Sequence, residues 1–304
     1  MSAPGKIRAL LATARVANIP SVVSNVWCGM ALALVWGDWA SVDGSILILV
    51  PLAGVLLYVS GNFLNDWFDR DWDASHRPER ALPGGLWQPG VYLAAAVLLG
   101  ISGVALALTA GARPAVVAAI IAVLVVVYTL VHKRSVWSVL PMGLCRAGLP
   151  LMGALAVLPI AEGLRVSFVP ALALLGYIAG LSLEARNESL ATQGHTSTGI
   201  RPLWLMGLAV PLSLLWAFPA HRSWQPLLAL VPFVIWLWMC GTRWRRPVPR
   251  LVSSLLAGIP LVDWVFLLPL GLVAPGDALG ISMLAVPPLA MASALLLQRL
   301  APAT

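Results

Sequence analysis

The sequence predicts an all-α protein, a polytopic membrane bundle of about nine or ten transmembrane helices in two four-helix halves around a central cavity. Hydrophobic residues make up 60% of the 304-residue chain and mean hydropathy is +0.90, well above the roughly 45–50% apolar content of soluble domains. Apolar stretches long enough to cross a hydrocarbon core of about 30 Å recur along the chain. The 19 Lys and Arg divide unevenly between alternate connections, as expected when one side of a membrane retains positive charge.

The first span, 16–36, follows Lys6, Arg8 and Arg15. Met1 to Arg15 lacks an apolar run, so no cleaved signal is expected and the span stays in the protein. Asn18 and Asn25 lie two turns apart within it, a spacing suited to hydrogen bonds between helices. The second span, 44–63, runs directly into the most charged stretch of the chain. Spans three and four, 91–110 and 114–131, are uninterrupted, and His132, Lys133 and Arg134 follow the fourth. Span five, 137–159, carries Arg146 in its interior, where a charge must face a cavity or a partner rather than lipid. Span six, 166–186, leads into a second polar connection at 187–201. Spans seven and eight are 202–219 and 224–241, with Arg243, Arg245 and Arg246 after the eighth. Span nine, 252–273, contains Asp263, either the partner of Arg146 or a substrate contact, and 278–298 is the tenth. Pro260, Pro269, Pro287 and Pro288 interrupt these two, which a spanning helix tolerates.

With the N-terminus cytoplasmic, that side collects 15 basic residues, and the other only Arg113, Arg165 and Arg222. The long connections 64–90 and 187–201 then both lie in the cytoplasm, four helices apart, which is the basis for two halves with a site between them. Topology and anionic headgroups account for the net charge of +7, so no nucleic-acid partner is called for. Cys28, Cys145 and Cys240 sit singly in separate spans and read as small apolar side chains. His76, His132, His195 and His221 are scattered near span ends and read as ordinary polar residues.

Asn65 to Gly85 holds four Asp, one Glu and three Arg. Asp66, Asp69 and Asp73 stand at i, i+3 and i+7. If span two continues as a helix to Pro78, all three carboxylates share one face, with Asn62 and Asn65 joining from the preceding turn. Three carboxylates so close repel one another unless cations lie between them. Hard oxygen ligands suit magnesium, which keeps several waters and bridges to substrate phosphates. Arg77 and Arg80 follow, and Arg matches phosphate oxygens. Acid for a metal and base for phosphate make a diphosphate site. The competing reading is a solvated polar connection, the default for a loop. Glu184 and Glu188, at i and i+4, with Asn187 beside them, end span six; they form either a second functional group or a plain helix end.

The run Asn65-Asp66-x-x-Asp69-x-x-x-Asp73, followed by Arg77-Pro-Glu-Arg80-Ala-Leu-Pro-Gly-Gly85, closely resembles the first aspartate-rich motif of the UbiA superfamily of intramembrane prenyltransferases. Arg15-Val-Ala-Asn18, Tyr128-x-x-x-x-Lys133 and the acidic group after span six are similar too, so the likeness runs from about Arg15 to Asp263. It implies one transmembrane domain over 1–304, usually of nine spans, in the cytoplasmic membrane. It also implies magnesium (Mg2+) as cofactor, an isoprenyl diphosphate donor, an aromatic or lipid-like acceptor and a surrounding of membrane lipid. By position, Asn65, Asp66, Asp69 and Asp73 take the first metal role, with Glu184 and Glu188 as the second acidic group. Arg77, Arg80 and Lys133 contact diphosphate; beside these carried-over residues, Asn62, Tyr128, Arg146, Asn187 and Asp263 are expected as further substrate contacts, Arg146 and Asp263 because charge within a span is costly. The second motif departs from the family's Asp-x-x-x-Asp pattern: here it reads Glu184-Ala-Arg-Asn-Glu188, and Glu reaches about one methylene further. This motif, with His132-Lys133-Arg134-Ser-Val-Trp and Met142-Gly-Leu-Cys-Arg146, most resembles the EboC-type branch, associated with moving a bacterial metabolite precursor out of the cytoplasm. Two functions follow as expectations: prenyl transfer, or a non-catalytic component that binds an isoprenoid or metabolite and aids its export.

Overall fold

The computed structural model describes residues 3–37, 42–133, 135–192, 202–217, 225–273 and 276–301, with backbone alone at 3–4, 187–192, 217 and 225–226. The described elements are helical. They are α1 (Ala3–Thr13), α2 (Ile19–Trp36), α3 (Ile46–His76), α4 (Pro89–Thr109), α5 (Ala112–Val131), α6 (Val139–Val157), α7 (Ile160–Thr192), α8 (Leu203–Met206), α9 (Ala209–Ala217), α10 (Gln225–Thr242), α11 (Val248–Ala257), α12 (Ile259–Val273) and α13 (Ala278–Leu297). Eight helical stretches are long and apolar enough to cross a membrane, and Leu203–Trp216 and Leu227–Thr242 are shorter apolar ones. Every stretch expected from hydropathy therefore has a helical counterpart. The proline-bearing spans nine and ten are among the long ones.

Two boundaries differ from expectation. The connection drawn at 64–90 is helical through His76. Pro78 ends the helix by forcing the residue before it out of the α region, and Arg77 has φ −144° and ψ 61°. The connection drawn at 187–201 likewise begins as helix, since α7 extends to Thr192. Polar side chains do not end a helix by themselves; it continues as long as its backbone bonds can form.

α2 is central, packing against α3, α6, α7, α12 and α13. It crosses α6 at backbone contact: a Cβ on Gly29 would overlap the Pro150 carbonyl oxygen, and one on Gly153 that of Val26. Small residues permit this in an apolar medium, where packing rather than water drives helix association. One buried apolar cluster runs from Val22 to Ala156 through α2 to α6. A second runs from Ala173 to Phe266. A third, including Cys28, Leu32, Ala154, Val166, Leu267 and Met283, joins the two through α2, α6, α7, α12 and α13.

Candidate functional site

Because α3 stays helical to His76, its 3.6-residue period puts Asn62, Asn65, Asp66, Asp69 and Asp73 on one inward face. Asp69 and Asp73 are 7% and 2% exposed, so these carboxylates are withdrawn from water and need partners. The chain beyond Pro78 folds back over them. Arg80 donates from Nη1 to Asp73 Oδ2 at 2.9 Å and to Asp66 Oδ1 at 3.4 Å. From the end of α5, Lys133 Nζ lies 2.6 Å from Asp69 Oδ1 and His132 Nε2 lies 3.2 Å from the same oxygen. Asn65 donates to Asp69 Oδ2 at 3.2 Å, while its own Oδ1 is buried with no hydrogen-bond partner among the described residues.

Arg15 completes the mouth. It precedes α2 in the left-handed region, φ 47° and ψ 51°, a conformation uncommon for a residue with a Cβ. Withdrawal from water works to lower its pKa, but Tyr58, Asp66, Tyr128 and Asp69 outweigh that and hold it above the usual arginine value. Tyr128 tilts against His132 with ring centroids 5.2 Å apart.

The remaining expected residues divide. Asn62 uses its amide on the Ala14 carbonyl at 3.2 Å, so it fixes the segment before α2 rather than an acid. Arg77 is exposed and makes no ion pair with the described residues. Glu184 is half-buried and likewise has no such partner, while the side chains of Asn187 and Glu188 lie outside the described residues. Arg186, between them, donates to the carbonyls of His132 and Ser135 at 3.2 and 2.9 Å, which brings the end of α7 to the turn carrying Lys133. Two contributors escape a reading by motif. His132 was expected to be an ordinary polar residue, yet it pairs with Asp69. Arg15 enters only through the four-residue resemblance Arg15-Val-Ala-Asn18, with no role assigned, although its charge bears on both Asp66 and Asp69.

Deeper in the bundle lies a second polar group. Arg146 donates from Nη1 to Asn25 Oδ1 at 2.9 Å and to Ser21 Oγ at 3.1 Å. Asn25 Nδ2 and Ser24 Oγ donate to Asp263 Oδ2 at 2.8 and 2.5 Å. Arg146 and Asp263 are thus partners through Asn25, which acts between helices as its position implied.

Among the described residues no three His, Cys, Asp or Glu side chains converge as a preformed metal cage. The donor set still fits a hard divalent cation. Asp66, Asp69, Asp73 and the orphaned Asn65 Oδ1 are oxygen donors, and magnesium sites commonly take only one or two carboxylates, completed by water and phosphate. The cations that now hold the acids, Arg80 and Lys133, are phosphate-binding types.

The profile of the UbiA prenyltransferase family matches residues 22–262. Protoheme IX farnesyltransferase of Aeromonas salmonicida (strain A449) is 39% identical over 141 residues, 42% of this chain and 47% of that protein. Digeranylgeranylglyceryl phosphate synthase of Methanothrix thermoacetophila is 43% identical over 56 residues, 18% of this chain and 21% of that one. The chain therefore spans less than half the length of either curated relative. A UbiA homolog from Archaeoglobus fulgidus, solved bound to GPP and Mg2+, superposes with a TM-score of 0.61 at 14% identity, covering 91% of this chain and 99% of that one. The apo structure of a UbiA homolog from Aeropyrum pernix K1 gives 0.59 at 16%, covering 92% and 98%. At such identities the likeness establishes a common fold.

Proposed function

The chain belongs to the UbiA prenyltransferase family, and we propose that this multi-pass membrane protein is a magnesium-dependent prenyltransferase, moving a prenyl group from an isoprenyl diphosphate to an aromatic or lipid-like acceptor within the bilayer. The observation that carries this reading is the acidic face of α3 crossed by cations: Arg80 on Asp66 and Asp73, and Lys133 on Asp69. Asn65, Asp66, Asp69 and Asp73 would hold the metal, with Glu184 and Glu188 as the second acidic group. Bound there, magnesium supplies Lewis acidity to the departing diphosphate. Arg80 and Lys133 turn from carboxylate to phosphate oxygens and neutralise the charge that develops on them. Arg15 adds a further cation, and Arg77, at the rim, meets the diphosphate as it arrives. Apolar helix faces beneath the mouth keep water from the reacting carbon.

Function and topology agree if the mouth is cytoplasmic in an inner membrane, with the N-terminus on the same side, as the distribution of Lys and Arg supports. The non-catalytic, EboC-type reading is favoured by a different observation, the Glu-for-Asp second motif Glu184-Ala-Arg-Asn-Glu188.

Binding of farnesyl and geranylgeranyl diphosphate to the purified chain, with magnesium or chelator, separates these. Binding that needs magnesium and disappears in Asp66→Asn with Asp69→Asn is the expected result. Binding indifferent to both would remove the diphosphate site. Glu184→Gln with Glu188→Gln should abolish turnover; a wild type that binds but never turns over establishes the non-catalytic reading.

A further inference from the structure

Lys133 reaches the mouth from the end of α5, and α3 meets it at two places. Its Nζ lies 2.6 Å from Asp69 Oδ1 and 4.4 Å from the centre of the Trp72 ring, over its face. Trp72 stands three residues after Asp69 and four before His76, so the three side chains follow one strip of the helix. The imidazole of His76 stacks on the indole at 4.0 Å with the ring planes 3° apart. It is itself tied down, because its Nδ1 lies 2.9 Å from the Trp72 carbonyl oxygen and 2.8 Å from Ser75 Oγ. The backbone that carries the lysine is fixed as well: Arg186 donates to the carbonyls of His132 and Ser135, on either side of it, at 3.2 and 2.9 Å. A half-exposed indole on a membrane helix is ordinarily an interfacial anchor. Trp72 differs in that a cation of the mouth rests on it.

We propose that Trp72 is a positioning residue for Lys133: its ring keeps the ammonium at the mouth once Asp69 is given to the metal, so that the lysine is in place for the diphosphate. The inference rests on the prenyltransferase reading and adds a residue to it. Asp69 cannot hold the lysine throughout, because a carboxylate shared with a divalent cation brings that cation's repulsion to bear on the ammonium. A further carboxylate in place of Trp72 would hold Lys133, but it would also compete for the metal and repel the diphosphate. An aromatic face attracts a cation through its quadrupole and carries no net charge. It leaves the ammonium's N–H donors to phosphate oxygens. Lysine ends a flexible four-carbon stem, so fixing its head beforehand removes part of the ordering cost of binding.

The test is magnesium-dependent binding of farnesyl diphosphate to the full chain in nanodiscs. Trp72→Leu, which keeps an apolar side chain and removes the π face, should weaken binding about three- to tenfold, as expected for a partly desolvated cation–π contact. Trp72→Phe should recover to within about twofold of the wild type, because an aromatic face remains. In a Lys133→Gln background, Trp72→Leu should add less than about twofold, since the ring then has no cation to hold. A ring that only packs would cost the same with or without Lys133. Tetrafluorotryptophan placed at position 72 alone keeps the shape and drains the π face. It should reproduce the loss, and it decides the matter if Trp72→Leu does not fold, which melting in detergent reports. Unchanged affinity with Leu or tetrafluorotryptophan at position 72, Phe no better than Leu, or a loss of full size in the Lys133→Gln background would overturn the proposal. Failure of the prenyltransferase reading shows separately, as wild-type binding that is absent or indifferent to magnesium.

Discussion

Arg80 and Arg77 stand three residues apart after the same helix, and their surroundings assign them different weights. Arg80 reaches two buried carboxylates through one nitrogen, whereas Arg77 is exposed and has no described partner. Charge-assisted hydrogen bonds are worth about 1.5–3 kcal/mol each. Arg80→Ala should therefore weaken magnesium-dependent farnesyl diphosphate binding by about 10- to 100-fold, and Arg77→Ala by less than about tenfold, since exposed pairs contribute about 1 kcal/mol or less. Titration of both variants checks this; the reverse order would place the diphosphate outside the mouth. His132 belongs to the same scale. Its sequence neighbourhood did not show that it would meet Asp69, and His76 stacks on Trp72 at 4.0 Å instead. The two differ because the end of α5 is packed beside Asp69.

Among the elements, α3 and the crossing of α2 with α6 do most to create the site. α3 extends its apolar span by a polar length of helix, so that one rigid element links membrane depth to the acidic mouth. The α2–α6 crossing sets how closely Asn25 and Arg146 approach, and its glycines leave no room for a side chain. Overpacking costs about 1–3 kcal/mol, occasionally more. Gly153→Leu, which would drive a side chain into the Val26 backbone, should lower thermal stability by about 3 kcal/mol or more and reduce folded yield. A Cβ on Gly44 meets nothing within 4 Å, so Gly44→Ala should lie within about 0.5 kcal/mol of the parent. Melting curves in detergent compare them directly, and equal midpoints would mean that the crossing is looser than drawn.

Across the whole molecule, the charge asymmetry and the placement of the site make one statement about orientation. Lys6, Arg8, Arg77 and the Arg243–Arg250 cluster are exposed, and the proposed orientation would put them all on one side. Single cysteines placed at Arg8, Arg77 and Arg245 in a chain with its native cysteines replaced should all react from the cytoplasmic side with a membrane-impermeant maleimide. A cysteine at Arg113 should react only from the other side. A mixed pattern would break the single-sided arrangement on which the mouth depends.

The helices and the acidic face of α3 were legible in the amino-acid sequence because both depend on local regularities: a length of apolar residues that spans lipid, and a period that aligns Asp66, Asp69 and Asp73. Arg146 and Asp263 could be singled out as costly charges in apolar spans for the same reason. What joins them was not legible. Asn25 is separated from Arg146 by 121 positions and from Asp263 by 238, and no periodicity reports on contacts at such separations. Nor could residue order tell that Asn62 would be taken by the Ala14 carbonyl while Asn65 kept a free oxygen. The sequence by itself determined which segments enter the membrane and which residues carry charge. Only the packed helices decided which charges meet, because pairing depends on backbones brought together by small residues far apart in the chain.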